Sequence, residues 1–450
     1  MKLCLISPNV KSLQLASLIL ITILLLFLVN CNSVEPPNGL EINLKLEDVS
    51  CTEAWVTLTT TNFRLPASIT LKQNNQVIKT INLNKTDSLL FIDSLLPNTS
   101  YQFEASNNQY KVTSNQLQLT TLDTTSHDFT WQTWTFGEHN SSVLFDCAII
   151  SLGNIWAVGA IYMNDSLGNP DNNAYNAIYW DGNDWELIRI QTNACGGVVY
   201  PPINTIFTFS ADDILFAHID GSISHYNGIE FINDCSLITQ LNGSANKIWG
   251  ISKNDYYVVS GNGFIAHYNG QSWQRIESGT EVNLTDIYGN PDGSEVWACG
   301  WNNSDGHTIL LRINNNQSEI IYDSFNPNSL PYDGFISSLW TNGKLYFWLT
   351  GNSHGAIKHS LLDRNIAMKE SFGLQYFPYR IRGVELNDIS MSGAAAIVWH
   401  YNGYSWKQYN ELLNLDDRVR SIDMKDGIVI TVGLRYESIL SNALIIVGRR

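Results

Sequence analysis

Basic residues are scarce in this sequence. Its 450 residues include 26 Lys and Arg against 42 Asp and Glu, which gives a formal net charge of −16 at pH 7. Such a surface does not neutralise phosphates, because affinity for nucleic acid depends on clustered lysines and arginines. We therefore expect no nucleic acid among the partners of this protein.

The sequence also lacks the short motifs typical of catalysis or of a structural metal site. It has no nucleophile elbow, no phosphate-binding loop and no HExxH pair, and its seven cysteines include no CxxC. We therefore expect a protein that is not an enzyme and that holds no cofactor and no metal. Two oxygen-rich loops, 164–173 and 302–307, leave calcium as an alternative, although neither has the ligand spacing of a calcium-binding loop.

A short motif recurs along the chain with the period of a β-propeller blade. Its copies begin at Tyr179, His225, His267 and His400, and in each copy aromatic residues flank an Asn-Gly or Asp-Gly pair. These pairs favour tight hairpin turns, and the copies lie close to multiples of about 44 residues apart. Short strands that end in glycine recur between the turns with the same period.

The repeats predict an all-β protein that ends in a seven-bladed β-propeller over residues 126–450. This span accommodates seven units of about 44 residues, each expected to form a four-stranded sheet. The last unit stops after its third strand, and residues 129–136 resemble the missing fourth strand. We expect them to close the ring and to remove its free edges. The pattern is similar to sialidase-like and WD-repeat propellers in general, without the signature of one specific family.

Residues 1–31 are expected to be a signal peptide that ends in a lipidation site. The apolar run Leu15–Val29 is shorter than the about 20 residues of a membrane-spanning helix. The sequence Leu-Val-Asn-Cys that ends at Cys31 resembles a bacterial lipoprotein signal. The resemblance implies export, a lipid anchor on Cys31 in the cell envelope (outer membrane or cell surface), and a tether over residues 32–38. A conventional cleaved signal or a signal anchor is the alternative.

Residues 39–124 are expected to form a β-sandwich of their own. They contain short alternating segments and no helical periodicity. The stretch Leu-Leu-Pro-Asn-Thr-Ser-Tyr that ends at Tyr101 is similar to the tyrosine corner of fibronectin type III domains. The resemblance implies a fibronectin type III-like domain with Trp55 in its core. We expect it to act as a spacer between the membrane and the propeller.

Two cysteines occupy related places in consecutive repeats. Cys195 and Cys235 each follow the outer strand of a unit. A disulfide between them is the candidate in an oxidising compartment, and two free thiols are the alternative.

Trp301 is the candidate ligand contact. It breaks the register of the repeats, because it follows the glycine that ends the second strand of its unit. By contrast, His225, His267 and His400 precede the same turn in three units, and this shared position predicts a structural role.

Together these features predict a non-enzymatic lipoprotein of the cell envelope whose propeller binds a protein or a glycan. The alternative is a propeller glycosidase or lyase that acts on extracellular carbohydrate through loop carboxylates. Binding is favoured because no unrepeated acid–base set stands out in the sequence.

Overall fold

A computed structural model describes residues 39–450 of this protein except 198, 242, 327–331, 333, 352–354, 364–366, 371–376 and 438. The signal peptide, Cys31 and the tether lie outside the described residues, so lipidation and export stay predictions. Within the described part of the chain, no helix is long and apolar enough to cross a membrane.

Seven antiparallel sheets of four strands follow one another along the described chain from residue 130 onward. We call them blades 1 to 7. Their strands are Val143–Ser151 (β10), Asn154–Ile161 (β11), Tyr175–Trp180 (β12) and Trp185–Ile188 (β13) in blade 1; Ile203–Ser210 (β14), Asp213–His218 (β15), Ile223–Tyr226 (β16) and Phe231–Asp234 (β17) in blade 2; Ala245–Ser252 (β18), Asp255–Ser260 (β19), Ile265–Tyr268 (β20) and Trp273–Ile276 (β21) in blade 3; Leu284–Gly289 (β22), Val296–Trp301 (β23), Thr308–Asn314 (β24) and Gln317–Asp323 (β25) in blade 4; Ile336–Thr341 (β26), Tyr346–Gly351 (β27), Ala356–Ser360 (β28) and Ala367–Glu370 (β29) in blade 5; Pro378–Glu385 (β30), Asp388–Gly393 (β31), Val398–Tyr401 (β32) and Trp406–Gln408 (β33) in blade 6; and Asp417–Lys425 (β34), Ile428–Glu437 (β35), Leu440–Arg449 (β36) and Thr130–Phe136 (β9) in blade 7. Two short 3-10 helices, Asn193–Cys195 and Asn410–Leu412, follow blades 1 and 6.

The blades form a closed ring. The first strand of each blade contacts the first strand of the next, and β34 of blade 7 contacts β10 of blade 1. The first strands are therefore the inner strands, and they surround a central channel. This arrangement is a β-propeller. The predicted all-β class and the propeller fold are confirmed.

The outer strand of blade 7 comes from the start of the ring. β9 pairs with β36, with Trp131 opposite Gly448 and Trp134 opposite Ile445. The chain thus enters and leaves the ring in one sheet, and no edge is left open at the join.

The hydrophobic core lies between neighbouring blades. At the boundary of blades 4 and 5, the rings of Trp297 and Phe347 stack 4.8 Å apart beside buried Leu339. At the join of blades 7 and 1, Ile430 and Ile445 pack in one buried cluster with Ile155 and Ile178 of β11 and β12. Each blade therefore depends on both neighbours for burial of its faces.

The recurring sequence motif forms the turn between the third and fourth strands. In blade 3, the Asn269 side chain accepts hydrogen bonds from the backbone N–H groups of Gln271 and Ser272, both at 3.0 Å. Gly270 follows with a φ of 85°, a conformation that is costly for β-branched residues. The same bonds recur around Asn227 and Asn402. The motif is therefore repeated because these hairpins share one turn geometry.

The three repeated histidines pair with aspartates at the start of the second strand. His225, His267 and His400 each place Nε2 within 2.6–2.8 Å of an Asp carboxylate twelve residues earlier in the chain. In blade 4, Arg312 and Glu295 form an ion pair at 3.1 Å across the same two strands. These pairs bind the second strand to the third, which agrees with a structural role.

His218 is a buried histidine without a carboxylate at hydrogen-bonding distance. It is fully buried, and its Nε2 lies 2.8 Å from the Ser224 hydroxyl. Burial lowers its pKa from 6.5 to about 4, so the folded protein favours the neutral imidazole. The stabilisation that comes from burying neutral His218 is complete above pH 6.5 and is lost as the pH falls towards 4.

We expect this histidine to make the protein sensitive to acid. When the pH is lowered from 7.5 to 4.5, protonation of His218 is expected to lower the free energy of unfolding by at most about 3 kcal/mol. The free energy of unfolding of wild type and His218→Gln in urea at both pH values measures the effect. At pH 7.5 the comparison gives the structural cost of the substitution alone. An equal loss on acidification in both proteins would rule out this role for His218.

The strands before the ring form two further sheets. Their strands are Glu41–Val49 (β1), Ala54–Thr61 (β2), Ala67–Gln73 (β3), Gln76–Leu83 (β4), Asp87–Ile92 (β5), Ser100–Asn107 (β6), Val112–Thr113 (β7) and Leu117–Thr120 (β8). One sheet has the order β1-β2-β5, and the other has the order β4-β3-β6-β7, with β8 also paired to β6.

The described chain divides into two compact units. The second unit contains the ring together with Leu46–Trp55 and Phe91–Ser100, and the first contains Val56–Leu90, Tyr101–Gln118 and the described residues up to Lys45. A separate fibronectin type III sandwich over 39–124 is therefore not evident, because three of its segments, 46–55, 91–100 and 119–124, group with the ring. The fibronectin type III resemblance stays a prediction.

Candidate functional site

A β-bulge lies near the start of the inner strand in every blade. A bulge adds one residue to a strand and re-aims the side chain that follows it. The residues directly after the seven bulges occupy equivalent places around the channel. They are Asp146, Thr205, Lys247, Asp286, Ser338, Arg380 and Ser421.

In blades 1, 4, 5, 6 and 7, a glycine of the second strand makes room for the bulge. A Cβ atom on Gly300 would lie 1.9 Å from the carbonyl oxygen of Asn283, and one on Gly433 would lie 1.9 Å from that of Arg418. No side chain fits at such distances. The glycine seen in the sequence pattern thus allows the close approach of the bulged inner strand.

Asp146 connects four blades at the axis of the ring. Its carboxylate accepts bonds from Lys247 Nζ at 2.6 and 2.7 Å, from the Ser421 hydroxyl at 2.6 Å and from the Thr205 hydroxyl at 2.7 Å. Burial alone would raise the pKa of Asp146, but the Lys247 ammonium and the hydroxyl donors hold it below its usual value.

Asp286 and Arg382 form a second buried ion pair across the channel. Two guanidinium nitrogens of Arg382 each lie 2.8 Å from a different carboxylate oxygen of Asp286. Burial opposes ionisation, but Arg382 outweighs it and lowers the pKa of Asp286 to about 2. The two ion pairs together fill the middle of the channel with compensated charge.

A small cavity of about 220 Å³ lies on one side of these pairs. It is lined by inner-strand residues that include Phe207, Trp249, Tyr288 and Asp423. The Asp423 carboxylate accepts bonds from the backbone N–H groups of Ile149 at 2.7 Å and Met424 at 2.9 Å. Burial raises the pKa of this carboxyl. Two of the cationic residues that line the cavity, Lys247 and Arg382, are already paired with Asp146 and Asp286.

The candidate residue Trp301 lies in a larger pocket, of about 480 Å³, which we call the Trp301 pocket. Its lining residues are Thr285, Trp301, Phe335, Ser337, Tyr379, Arg380, Arg418, Val419, Arg420 and Tyr436. Trp301 is the last residue of β23, and its ring stacks on Phe335 with centroids 4.2 Å apart. The pocket opens where the inner strands of blades 4 to 7 begin.

Three arginines line the Trp301 pocket, and the described lining contains no carboxylate. Arg380 donates to the backbone carbonyls of Ser337 at 2.7 Å and Arg420 at 3.1 Å. Arg418 donates to the carbonyls of Leu415 and Asp417 at 2.7 and 2.8 Å. These neutral acceptors orient the guanidinium groups of Arg380 and Arg418 without forming an ion pair with them.

The sequence indicated Trp301 but not the arginines beside it. Arg380 and Arg382 are two residues apart on one inner strand. Arg382 forms an ion pair with Asp286, and only Arg380 reaches the pocket. No sequence motif lies next to Arg420. The one feature of the sequence that could have indicated these arginines is their position, because Arg380, Arg418 and Arg420 all fall in the first residues of consecutive inner strands.

The other candidate residues lie away from this pocket. Cys195 and Cys235 are joined in a disulfide that links the segments after blades 1 and 2. In the loop 164–173, Asp165 accepts bonds from the N–H groups of Leu167 and Asn169, as in an ordinary turn. Among the described residues there is no cluster of three or more His, Cys, Asp or Glu able to hold a metal.

Comparisons with known proteins show the fold. No protein-family model matches this chain, and no curated protein matches it. The chain is similar to the solved structure "YCF48 bound to D1 peptide", with 14% identity, a TM-score of 0.52, and coverage of 73% of this chain and 100% of that chain.

Two further solved structures are similar at lower scores. The WD40 β-propeller domain of Doa1 has 14% identity and a TM-score of 0.49, with 72% of this chain and 98% of that chain covered. YCF48 from Cyanidioschyzon merolae has 11% identity and a TM-score of 0.48, with 71% and 98% covered. At these identities the likeness is one of β-propeller fold alone.

Proposed function

We propose that this protein is an exported, lipid-anchored binding protein whose propeller captures a segment of a partner protein in the Trp301 pocket. The residues before the ring act as a spacer from the membrane. The observation that carries the proposal is the composition of the pocket: stacked and exposed aromatic rings lie beside oriented arginines at one mouth of the ring. Aromatic residues and arginine are the types enriched at the energetic centres of protein interfaces.

A protein ligand is also supported by the fold comparison. The solved structure with a TM-score of 0.52 is described as YCF48 bound to a D1 peptide. A propeller of this general shape therefore holds a peptide in at least one case. Loops and strand ends at one mouth of a ring are free to vary without loss of the blades, which suits them to recognition.

The pocket suits binding better than hydrolysis. Glycoside hydrolysis typically uses two carboxyl groups on either side of the bond that is broken. The described lining of the Trp301 pocket has no Asp or Glu. A glycosidase or lyase would need its acids elsewhere on the ring.

Replacing Trp301 with alanine is expected to weaken ligand capture at least about tenfold, because truncation of a central aromatic residue commonly costs 2 kcal/mol or more. The full-length protein, its Trp301→Ala variant and Ile229→Ala are compared in pull-downs from envelope extracts of producing cells. Ile229 is 89% exposed on the turn of blade 2 and serves as the matched apolar control.

Two results would contradict the proposal. Equal recovery of the same partner by wild type and Trp301→Ala would place binding outside the pocket. Turnover of glycoside substrates that is abolished by loss of one loop carboxylate would make the protein an enzyme.

A further inference from the structure

Charge identifies the class of segment that the Trp301 pocket accepts. Resting on the proposed binding function, we infer that the pocket takes an acidic segment of the partner protein. At least two carboxylates of that segment pair with the guanidinium groups of Arg380, Arg418 and Arg420.

The local charge of the pocket is opposite to that of the whole protein. Among the described residues, Arg380, Arg418 and Arg420 form no ion pair with a carboxylate. The carboxylate next in sequence, Asp417, is buried and bound through both oxygens to Arg435, at 2.7 and 2.8 Å. Three positive charges therefore face one cavity in a chain of net charge −16.

Two of the three arginines, Arg380 and Arg418, are already oriented by the protein before an anion binds. Arg380 is fixed between blades 5 and 7 by two carbonyl oxygens, and Arg418 is fixed by two carbonyls and lies 6.0 Å from the centre of the Tyr436 ring. Prior orientation lowers the entropy lost on binding. Planar guanidinium groups pair with carboxylates through two parallel hydrogen bonds.

The pocket also limits what kind of anion fits. Its volume of about 480 Å³ and its rings, including Trp301, Phe335 and Tyr379, suit side chains with apolar parts as well as charge. A long polyanion would extend from the pocket onto the acidic surface of the protein and be repelled there. A short acidic segment of a protein places its charge only where the arginines are.

The test uses two pools of random heptapeptides that are identical except at two fixed positions. One pool carries Asp or Glu at these positions, and the other carries Asn or Gln. Immobilised full-length protein is expected to retain peptides of the acidic pool at least about tenfold more than those of the amide pool, and to lose this preference as salt rises.

Variants locate the effect. Arg420→Gln and Arg380→Gln are each expected to reduce retention of the acidic pool about tenfold. Arg275→Gln is the matched control and is expected to leave retention unchanged, because Arg275 is exposed on the outer strand of blade 3 and pairs with Glu277. The urea midpoint of each variant shows that the fold is intact.

The outcomes separate this inference from the proposed function. Equal retention of both pools, with both lost in Trp301→Ala, would overturn the acidic ligand and keep the binding function. Binding of polygalacturonate or polyphosphate to the immobilised wild type, with no peptide of the acidic pool retained, would overturn the inference in favour of another anion. Retention unaffected by Trp301→Ala would overturn the binding function itself.

Discussion

Replacement of Arg382 with methionine is expected to lower the free energy of unfolding by about 3–5 kcal/mol. The change removes the guanidinium that binds both oxygens of Asp286 and leaves that carboxylate buried without its counter-ion. The side-chain volumes are similar, so lost packing contributes little. Urea unfolding of the full chain, followed by fluorescence of its tryptophans, measures the effect.

Two comparisons show whether the buried charge is the cause. Arg275→Met removes an arginine from an exposed pair with Glu277 and is expected to cost less than about 1 kcal/mol. The double variant Asp286→Asn, Arg382→Met removes both charges and is expected to be more stable than Arg382→Met alone. A single variant within about 0.5 kcal/mol of wild type would show that the pair contributes little.

The ring was predictable because its repeats come from local chemistry. Each Asn-Gly turn needs an Asn side chain to accept two backbone N–H groups and a glycine at positive φ, as at Asn269 and Gly270. The glycines that end the second strands are required by the close approach of the bulged inner strands. Such requirements recur in several blades at the same place, so they leave a period that can be read in a single sequence.

The charges at the axis could not be predicted in the same way. Lys247 and Asp146 are 101 residues apart and meet only because blades 1 and 3 both face the channel. The bulge before each residue also shifts the alternation of inward and outward side chains. A pattern of alternating residues therefore cannot tell which arginine enters the channel and which reaches the pocket.

The candidate site was only partly predictable for a related reason. Trp301 stood out because it breaks the repeat, and it does line a pocket. Its neighbours Phe335, Arg380 and Arg420 belong to the next three units of the chain, and only the packing of these blades around the channel brings them together. A separate sandwich over 39–124 is not evident, because tertiary contacts group 46–55 and 91–100 with the ring, and the pattern of strands in a sequence carries no sign of such contacts.

Loss of the closing strand is expected to have the largest effect of all on the fold. Replacing residues 130–136 with a Gly/Ser segment of equal length removes Trp131 and Trp134, which pack on the clusters of blades 6, 7 and 1. It also leaves β36 without its partner from Ala443 to Arg449, the seven residues that pair with β9. An exposed, apolar edge of this length pairs with other chains, so we expect most of the protein to aggregate. Light scattering and size-exclusion chromatography of the full chain measure this outcome.

The matched control changes the same strand without breaking it. Thr133 is exposed on β9, and Thr133→Ser keeps its backbone pairing opposite Ile446. This variant is expected to stay monomeric with the unfolding midpoint of wild type. Addition of a synthetic peptide with the sequence of residues 127–138 during refolding is expected to return part of the Gly/Ser variant to the monomer, because the peptide can occupy the vacant edge. A Gly/Ser variant that is monomeric and as stable as wild type would show that β9 is not needed to close the ring.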